Sequence, residues 1–259
     1  MDLGIKGKMA LVTGASRGIG RAVAEALARE GCNLRLAART REDLEAAAEA
    51  IRQAHNVHVS VHVCDLSRAS DVEALSSAAN DLDILVNNAG AIPSGDIFEV
   101  DSATWRRGWE LKVFGFIDLT RAIFARMKSR KKGVIVNVIG NAAELPSPNY
   151  IAGSVGNAAL NMFVNTLGGI SMRDGVRVVG VHPGPTMSDR RKRSMMERAR
   201  TEFGDAGRYL EFEKGLPAGR SATTEEIAWV VVFLASERAA HVSGTSIRVD
   251  AGHAVMPRS

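Results

Sequence analysis

The chain has 259 residues, 46% hydrophobic and 24% charged, a balance that excludes a disordered polymer and fits one large α/β domain or two small ones. Its two cysteines, Cys32 and Cys64, stand apart, which excludes a disulfide framework and a cysteine-cluster zinc site, so no metal is expected. A net charge of +4 with aromatics at 5% is too weak a signal for a nucleic-acid binder; a phosphorylated cofactor or an acidic small substrate accounts for it.

Met9–Val12 is a short apolar run followed by a Gly-rich turn. Ile19–Glu30 then reads as a helix with Ile19, Val23, Ala26 and Leu27 on one face and Gly31 as its stop. A strand at Asn33–Ala38, a helix at Arg41–Gln53, a strand at Val57–Val63, a helix at Ser70–Ala79 and a strand at Ile84–Val86 follow. Trp105–Ser129 reads as one long helix and Gly133–Ile139 as a fifth strand. A helix at Asn157–Met172, a strand at Val176–Val181, a helix at Ala222–Ser236 and a strand at Thr245–Val249 complete the pattern.

Strands alternating with helices of this length imply parallel β-α-β units, and central strands that are apolar nearly throughout must be covered on both faces. The expectation is one doubly wound α/β domain spanning 1–259. Met187–Gly219 breaks the alternation; long, charged and Met-rich, it is a candidate substrate lid. No apolar run approaches the roughly 20 residues that cross a bilayer, and Met1–Lys8 lacks the apolar core of a signal peptide. No membrane partner is therefore expected, and the default location is the cytoplasm.

Thr13–Gly20 (Thr-Gly-Ala-Ser-Arg-Gly-Ile-Gly) joins the first strand to the first helix. Gly14 permits the tight turn, Gly18 lets backbone approach a pyrophosphate, and Gly20 lets helix pack on strand. The N–H groups of Ser16 to Ile19 then open a helix N-terminus that favours phosphate. The second strand ends in Ala37-Ala38-Arg39-Thr40, with no acid to accept from a ribose 2′-hydroxyl. Arg39 and Arg17 instead offer two guanidiniums to a 2′-phosphate, favouring NADP(H) over NAD(H). The alternative is that both are solvated surface arginines.

These residues resemble the short-chain dehydrogenase/reductase family, whose Thr-Gly-x-x-x-Gly-x-Gly loop matches Thr13–Gly20. Asp65-Leu66 is similar to the family's adenine-side pair, and Asn87-Asn88-Ala89-Gly90 copies its Asn-Asn-Ala-Gly motif. Pro183-Gly184, with Thr186 just beyond, resembles the turn beside the nicotinamide, and Gly244-Thr245 and Asp250-Ala251-Gly252 resemble the closing strand. The resemblance implies a single Rossmann domain with a seven-stranded parallel sheet and helices on both faces, a small-molecule substrate, and a homotetramer or homodimer.

The resemblance also implies four catalytic side chains: an Asn on the long helix, a Ser past the fifth strand, and a Tyr-x-x-x-Lys on the next helix. An ungapped register from Asn137 to Pro183-Gly184 puts Gly140 at the Ser, Gly153 at the Tyr and Asn157 at the Lys; Lys112 falls at the Asn. Lys112 and Asn157 thus look exchanged between helices. Tyr150, three residues before Gly153, is the candidate proton donor, but only if Asn149-Tyr150-Ile151 is a loop, because helical side chains lean toward the N-terminus. A second register makes Tyr150 the catalytic Tyr, with Ser154 in the Lys place and a three-residue insertion. Tyr150 also suits an aromatic wall, and Lys112 a lysine snorkelling to solvent or a desolvated base.

His58 and His62 alternate with valines on the third strand, and with His55 they read as surface or packing residues. His182 sits beside the nicotinamide turn and Glu144 in the loop after Gly140. Arg190-Arg191-Lys192-Arg193 opens the candidate lid and is either a solvated face or a grip for an anionic substrate; Met187, Met195 and Met196 give the lid an apolar side. Three functions follow: an NADP(H)-dependent oxidoreductase with a rearranged proton relay, a non-redox lyase, isomerase or dehydratase, or a catalytically silent nucleotide-binding protein.

Overall fold

A computed structural model describes residues 1–256. The elements run in chain order β1 (Met9–Thr13), α1 (Gly18–Arg29), β2 (Asn33–Ala38), α2 (Arg41–Ala54), β3 (Val59–Val63), α3 (Ala69–Ser77) and β4 (Ile84–Asn87). Then come α4 (Ser102–Trp109), a π-helical turn (Glu110–Phe114), α5 (Gly115–Ser129), β5 (Gly133–Val138), α6 (Ile151–Ser171), β6 (Val176–Pro183), α7 (Asp189–Phe203), α8 (Thr224–Ala235) and β7 (Ser246–Val249).

The seven strands form one sheet in the order β3-β2-β1-β4-β5-β6-β7, every neighbouring pair parallel. Because the interior strands are buried along nearly their whole length, each face carries its own core. One core joins Val23, Ala24 and Leu27 of α1, Leu44 and Ile51 of α2, and Ile227 and Val231 of α8. The other joins Val72 of α3, Phe116, Leu119 and Ile123 of α5, and Leu160 and Val164 of α6. The strand order reverses between β1 and β4, and in such sheets the crevice outside the carboxyl ends of the strands at that point takes the ligand.

Three differences from the sequence reading matter for the site. The long helix is not uniform: Glu110–Phe114 is π-helical, carries Lys112, and separates α4 from α5. The helix expected from Asn157 begins at Ile151, so its first turn holds Gly153 and Ser154. The candidate lid contains a 15-residue helix, α7, and a 3-10 segment at Ala206–Glu213. Among the described residues no helix is long and apolar enough to cross a membrane.

Candidate active site

The phosphate end of the crevice is cross-braced by side chains. The Thr13 hydroxyl accepts from the backbone N–H groups of Asn88 (2.9 Å) and Ala89 (3.1 Å), and donates to Val86 O. The Asn88 amide donates back to Thr13 O at 3.0 Å. A Cβ on Gly20 would lie 2.3 Å from Gly14 O and 2.4 Å from Asn88 Nδ2, so only glycine admits this packing. The resemblance assigns Asn88 to cofactor; its amide here ties β4 to the glycine turn. Asn87 lies fully buried beneath, donating to Thr120 Oγ1 and Asn137 Oδ1, both at 2.9 Å.

Gly14 N donates to Ala37 O at 2.7 Å, which holds the glycine turn beside the end of β2 and Arg39. Arg17 and Arg39 are exposed and make no ion pair among the described residues. Asp65 is partly buried, which raises its carboxyl pKa, but hydrogen bonds from Ser67 N and Oγ and the charges of Arg39 and Arg68 hold it below the usual carboxylate range. Leu66 is buried, its carbonyl against Gly115 at the head of α5. Gly184 N donates to Val249 O at 3.0 Å, and Thr186 Oγ1 to Gly184 O at 3.0 Å, fixing the turn after β6.

The other end of the crevice is assembled from four segments. Tyr150 is the N-cap of α6, in a non-helical conformation (φ −145°, ψ 40°). Its backbone is held by Gly95, which donates to Asn149 O at 2.8 Å, and the first turn of α6 by Trp109, whose ring N–H donates to Ala152 O at 3.0 Å. Asn149 and Tyr150 are thus outside the helix, although Ile151, expected in the loop, already opens α6; the ring folds down onto Gly153, where a Cβ would lie 2.0 Å from Tyr150 Cζ. Burial raises the phenol pKa, with Arg190 acting in the opposite direction, so the hydroxyl is protonated at neutral pH.

Lys112 turns inward from the π-helical segment, the kind of irregularity that concentrates at functional sites. Its stem covers Gly90, where a Cβ would lie 2.8 Å from Lys112 Cδ, and its ammonium donates to Ile139 O at 2.5 Å. Burial, then the charge of Arg190, lowers its pKa to about 8. Asn157 is 2% exposed; its amide nitrogen lies 2.9 Å from where a Cβ on Gly140 would be, and its Oδ1 is buried without a hydrogen-bond partner. Each glycine thus makes room for a polar side chain reaching in from elsewhere: Gly153 for Tyr150, Gly140 for Asn157, Gly90 for Lys112.

The family profile for short chain dehydrogenases matches residues 8–199. The chain belongs to that family. It is 30% identical over 253 residues to 2,3-dihydro-2,3-dihydroxybenzoate dehydrogenase of Bacillus subtilis, covering 96% of this chain and 97% of that one. It is similar to L-sorbose reductase from Gluconobacter frateurii, solved with NADPH and L-sorbose (33% identity, TM-score 0.94, 99% of this chain and 100% of that one). It also resembles an actinorhodin polyketide ketoreductase variant solved with NADPH (27% identity, TM-score 0.91, 96% of this chain and 98% of that one). The single Rossmann domain expected from the sequence is the fold observed.

Several neighbours of this short-chain dehydrogenase site are missed or underread in the sequence. The fully buried His182 has Nδ1 3.1 Å from Glu144 Oε1, and Glu144 Oε2 is 3.0 Å from Arg248. Arg191 is engaged by Glu213 and Ser221, whereas Arg190 is exposed and unpaired among the described residues. Ser188, the N-cap of α7, lies against the glycine loop, 3.8 Å from a Cβ placed on Gly18. His55 bonds Glu25 at 2.6 Å, a surface pair distant in sequence. Among the described residues no group of three His, Cys, Asp or Glu is arranged to hold a metal.

Proposed function

We propose that the chain is an NADP(H)-dependent oxidoreductase that interconverts a small carbonyl compound and its alcohol, using a proton relay rebuilt around Tyr150, Lys112 and Asn157. The observation that carries this reading is the Tyr150 ring lying in the space a side chain at 153 would occupy. In the ungapped register residue 153 holds the family's tyrosine, so the phenol reaches that volume from one turn upstream. The second register needs a three-residue insertion, and α6 is one unbroken helix from Ile151 to Ser171 with no bulge to absorb it.

The crevice fits a dinucleotide. The glycine turn bares the N-terminus of α1, Arg17 and Arg39 are free to meet a 2′-phosphate, and the orphaned Asn157 Oδ1 suits a ribose hydroxyl as donor. Gly14, Ser16, Gly18, Ile19 and Gly20 would take the pyrophosphate, Asp65 and Leu66 the adenine, and Ala89, Gly90, Pro183, Gly184 and Thr186 would border the nicotinamide. NADPH supplies the hydride when bound. Tyr150, kept protonated by burial, gives its proton to the carbonyl oxygen, and Lys112, its pKa lowered by burial to about 8, restores it. Asn157 holds the volume beside Gly140 and orients the ribose. The NADPH-bound reductases among its relatives favour this reading over a lyase or a silent binder.

Met187–Gly219 serves as the lid, its Ser188 already against the glycine loop and its stacked Phe203 and Phe212 (5.4 Å between centroids) tying α7 to the 3-10 segment. Arg190 is the lid cation placed to meet an anionic substrate group. The exposed apolar residues Val155, Met162 and Ile170 on α6 and Trp229 and Phe233 on α8 suit a homodimer or homotetramer. The test is a fluorescence titration with NADPH and NADH, followed by NADPH oxidation with L-sorbose and other small ketones and keto acids. Tighter NADPH binding and ketone-dependent oxidation are expected; tighter NADH binding would refute the roles of Arg17 and Arg39.

A further inference from the structure

His182 is the one wholly buried ionisable ring of the crevice, and nothing in the relay described above uses it. It lies on β6 immediately before the Pro183-Gly184 turn, with zero exposure. Nδ1 faces Glu144 at 3.1 Å but off the line of a hydrogen bond, so neither ring nitrogen has a hydrogen-bond partner. A buried imidazole with both nitrogens unsatisfied is costly unless it is employed. Glu144 is exposed to solvent and anchored by Arg248, whose residue pairs with His182 across β6 and β7. On the other side, Ile139 N donates to Val181 O at 2.8 Å while Ile139 O accepts from the Lys112 ammonium. The amine is therefore held at the end of β5, on the residue that bonds to the strand position just before His182, and its charge bears on the imidazole. Among the described residues the charges that bear on His182 are Glu144 from the loop after β5, Arg248 from β7 and Lys112 from the π-helical turn.

We propose that His182 and Glu144 form a proton-loading pair for Lys112, carrying a proton from solvent across the carboxyl ends of β5 and β6 to the amine. The inference rests on the role assigned to Lys112 above and extends it outward. In the reductive direction one proton enters the product for each hydride, and Tyr150 and Lys112 must be reloaded. A proton arriving through Glu144 binds Nδ1, the proton on Nε2 leaves toward the Lys112 amine, and the imidazole ends neutral in its other tautomer. The ring resets by rotating, so that its protonated nitrogen faces the amine and its bare nitrogen faces Glu144, because resetting through Glu144 and Lys112 would only undo the transfer. In this scheme His182 reaches the reacting atoms only through Lys112, so its role is to position and supply a proton. Burial lowers the imidazole pKa, Glu144 opposes that shift and the charges of Arg248 and Lys112 add to it; the net lowering keeps the resting ring neutral, so that a proton taken up is passed on.

The test uses the whole protein with isotope-labelled lysine side chains, followed by NMR through a pH titration, the Lys112 signal being assigned by its loss in Lys112→Arg. In the native protein the Lys112 signal should show two inflections, one near pH 8 and a lower one reporting His182. In His182→Gln the lower inflection should vanish. Exchange of the Lys112 ammonium protons with water should fall roughly tenfold and recover on adding imidazole, as loss and rescue of an acid–base group require. In Glu144→Gln, which alters a side chain at the surface, the lower inflection should move to more acid pH. A single inflection in the native protein, a lower inflection that survives His182→Gln, or exchange indifferent to His182 and imidazole would overturn the pair. If His182→Gln does not fold, an unmoved lower inflection in Glu144→Gln overturns it instead. These signals need no substrate, so failure to bind NADPH or reduce a ketone would count against the proposed function and not against the pair.

Discussion

The two ends of the crevice are built by opposite means. At the phosphate end, neighbours in sequence do the work: eight residues from Thr13 to Gly20 form the turn, and Thr13 and Asn88 clamp it to the end of β4 through five hydrogen bonds of 2.9 to 3.4 Å. At the reaction end, Lys112, Gly140, Tyr150, Asn157 and His182 arrive from the π-helical turn, the loop after β5, the cap and second turn of α6, and β6. There each of Lys112, Tyr150 and Asn157, the groups of the proposed relay, occupies space that a glycine on another segment or turn leaves open. A binding cradle made of backbone tolerates little rearrangement, whereas a reaction centre made of side chains can be rebuilt provided the volumes still close.

The sharpest way to break this contrast is to remove the titrating group proposed for the reaction end and leave the cradle alone. Lys112→Met keeps the stem over Gly90 and deletes the amine. Loss of a general acid–base group lowers turnover by about 10²–10⁴-fold, and NADPH affinity measured by fluorescence should stay within about threefold, a change below roughly 0.7 kcal/mol. The pH profile of the native enzyme gives the sign. Burial lowers the Lys112 pKa from 10.5 to about 8, so the ammonium form that returns a proton to Tyr150 is lost as pH rises through about 8. Ketone reduction should fall above that pH and alcohol oxidation should rise, and in Lys112→Met this limb of both profiles should be absent.

At the cradle, Arg39→Ala tests whether the end of β2 reads a 2′-phosphate. A charge-assisted hydrogen bond is worth about 1.5–3 kcal/mol, so NADPH affinity should fall roughly ten- to a hundredfold and NADH affinity should stay nearly constant. Equal losses for both nucleotides would mean that Arg39 supports the loop and not the phosphate. Turnover at saturating NADPH should be unchanged, the mirror image of Lys112→Met.

The same division governs how much is legible in the sequence. The strands, their parallel order and the glycine turn announce themselves through local runs: β2 has the expected bounds, and α1 and α2 differ by a residue or so at each end. The π-helical turn is invisible because an apolar stripe of period near 3.6 reads continuously through Trp109, Val113 and Phe116. The first turn of α6 is hidden because Gly153 and Gly156 are poor helix formers; packing against Trp109 and Ile92 overrides that preference. Helix α7 escapes detection because only Met195 and Ala199 of its 15 residues are buried, leaving no apolar face to read. The spacing of Tyr150 and Gly153 is readable and points to a loop at 149–151 as the condition for the phenol to swing. The pairing of Glu144 with His182 is not, because two segments brought together by a sheet leave no mark in either stretch of sequence.

The finest test of these linked volumes is Gly153→Ala, judged alone and together with Tyr150→Phe. One methyl group at 153 meets the Tyr150 ring, 2.0 Å from Cζ, so the ring must move out of the site or the cap of α6 must shift. Overpacking of this kind costs about 1–3 kcal/mol of stability, read as a lower denaturant midpoint. If the ring's place over Gly153 is what makes the phenol a proton donor, turnover should fall by roughly tenfold, a displacement worth about 1.4 kcal/mol of transition-state stabilisation. In the Tyr150→Phe background the hydroxyl is already gone, so adding Gly153→Ala should destabilise the fold by a similar amount and leave turnover where Tyr150→Phe put it. Residues in contact are the case in which single effects do not add, and the size of that non-additivity in turnover, set against near-additivity in stability, measures how far the phenol's chemistry depends on the empty Cβ position beneath it.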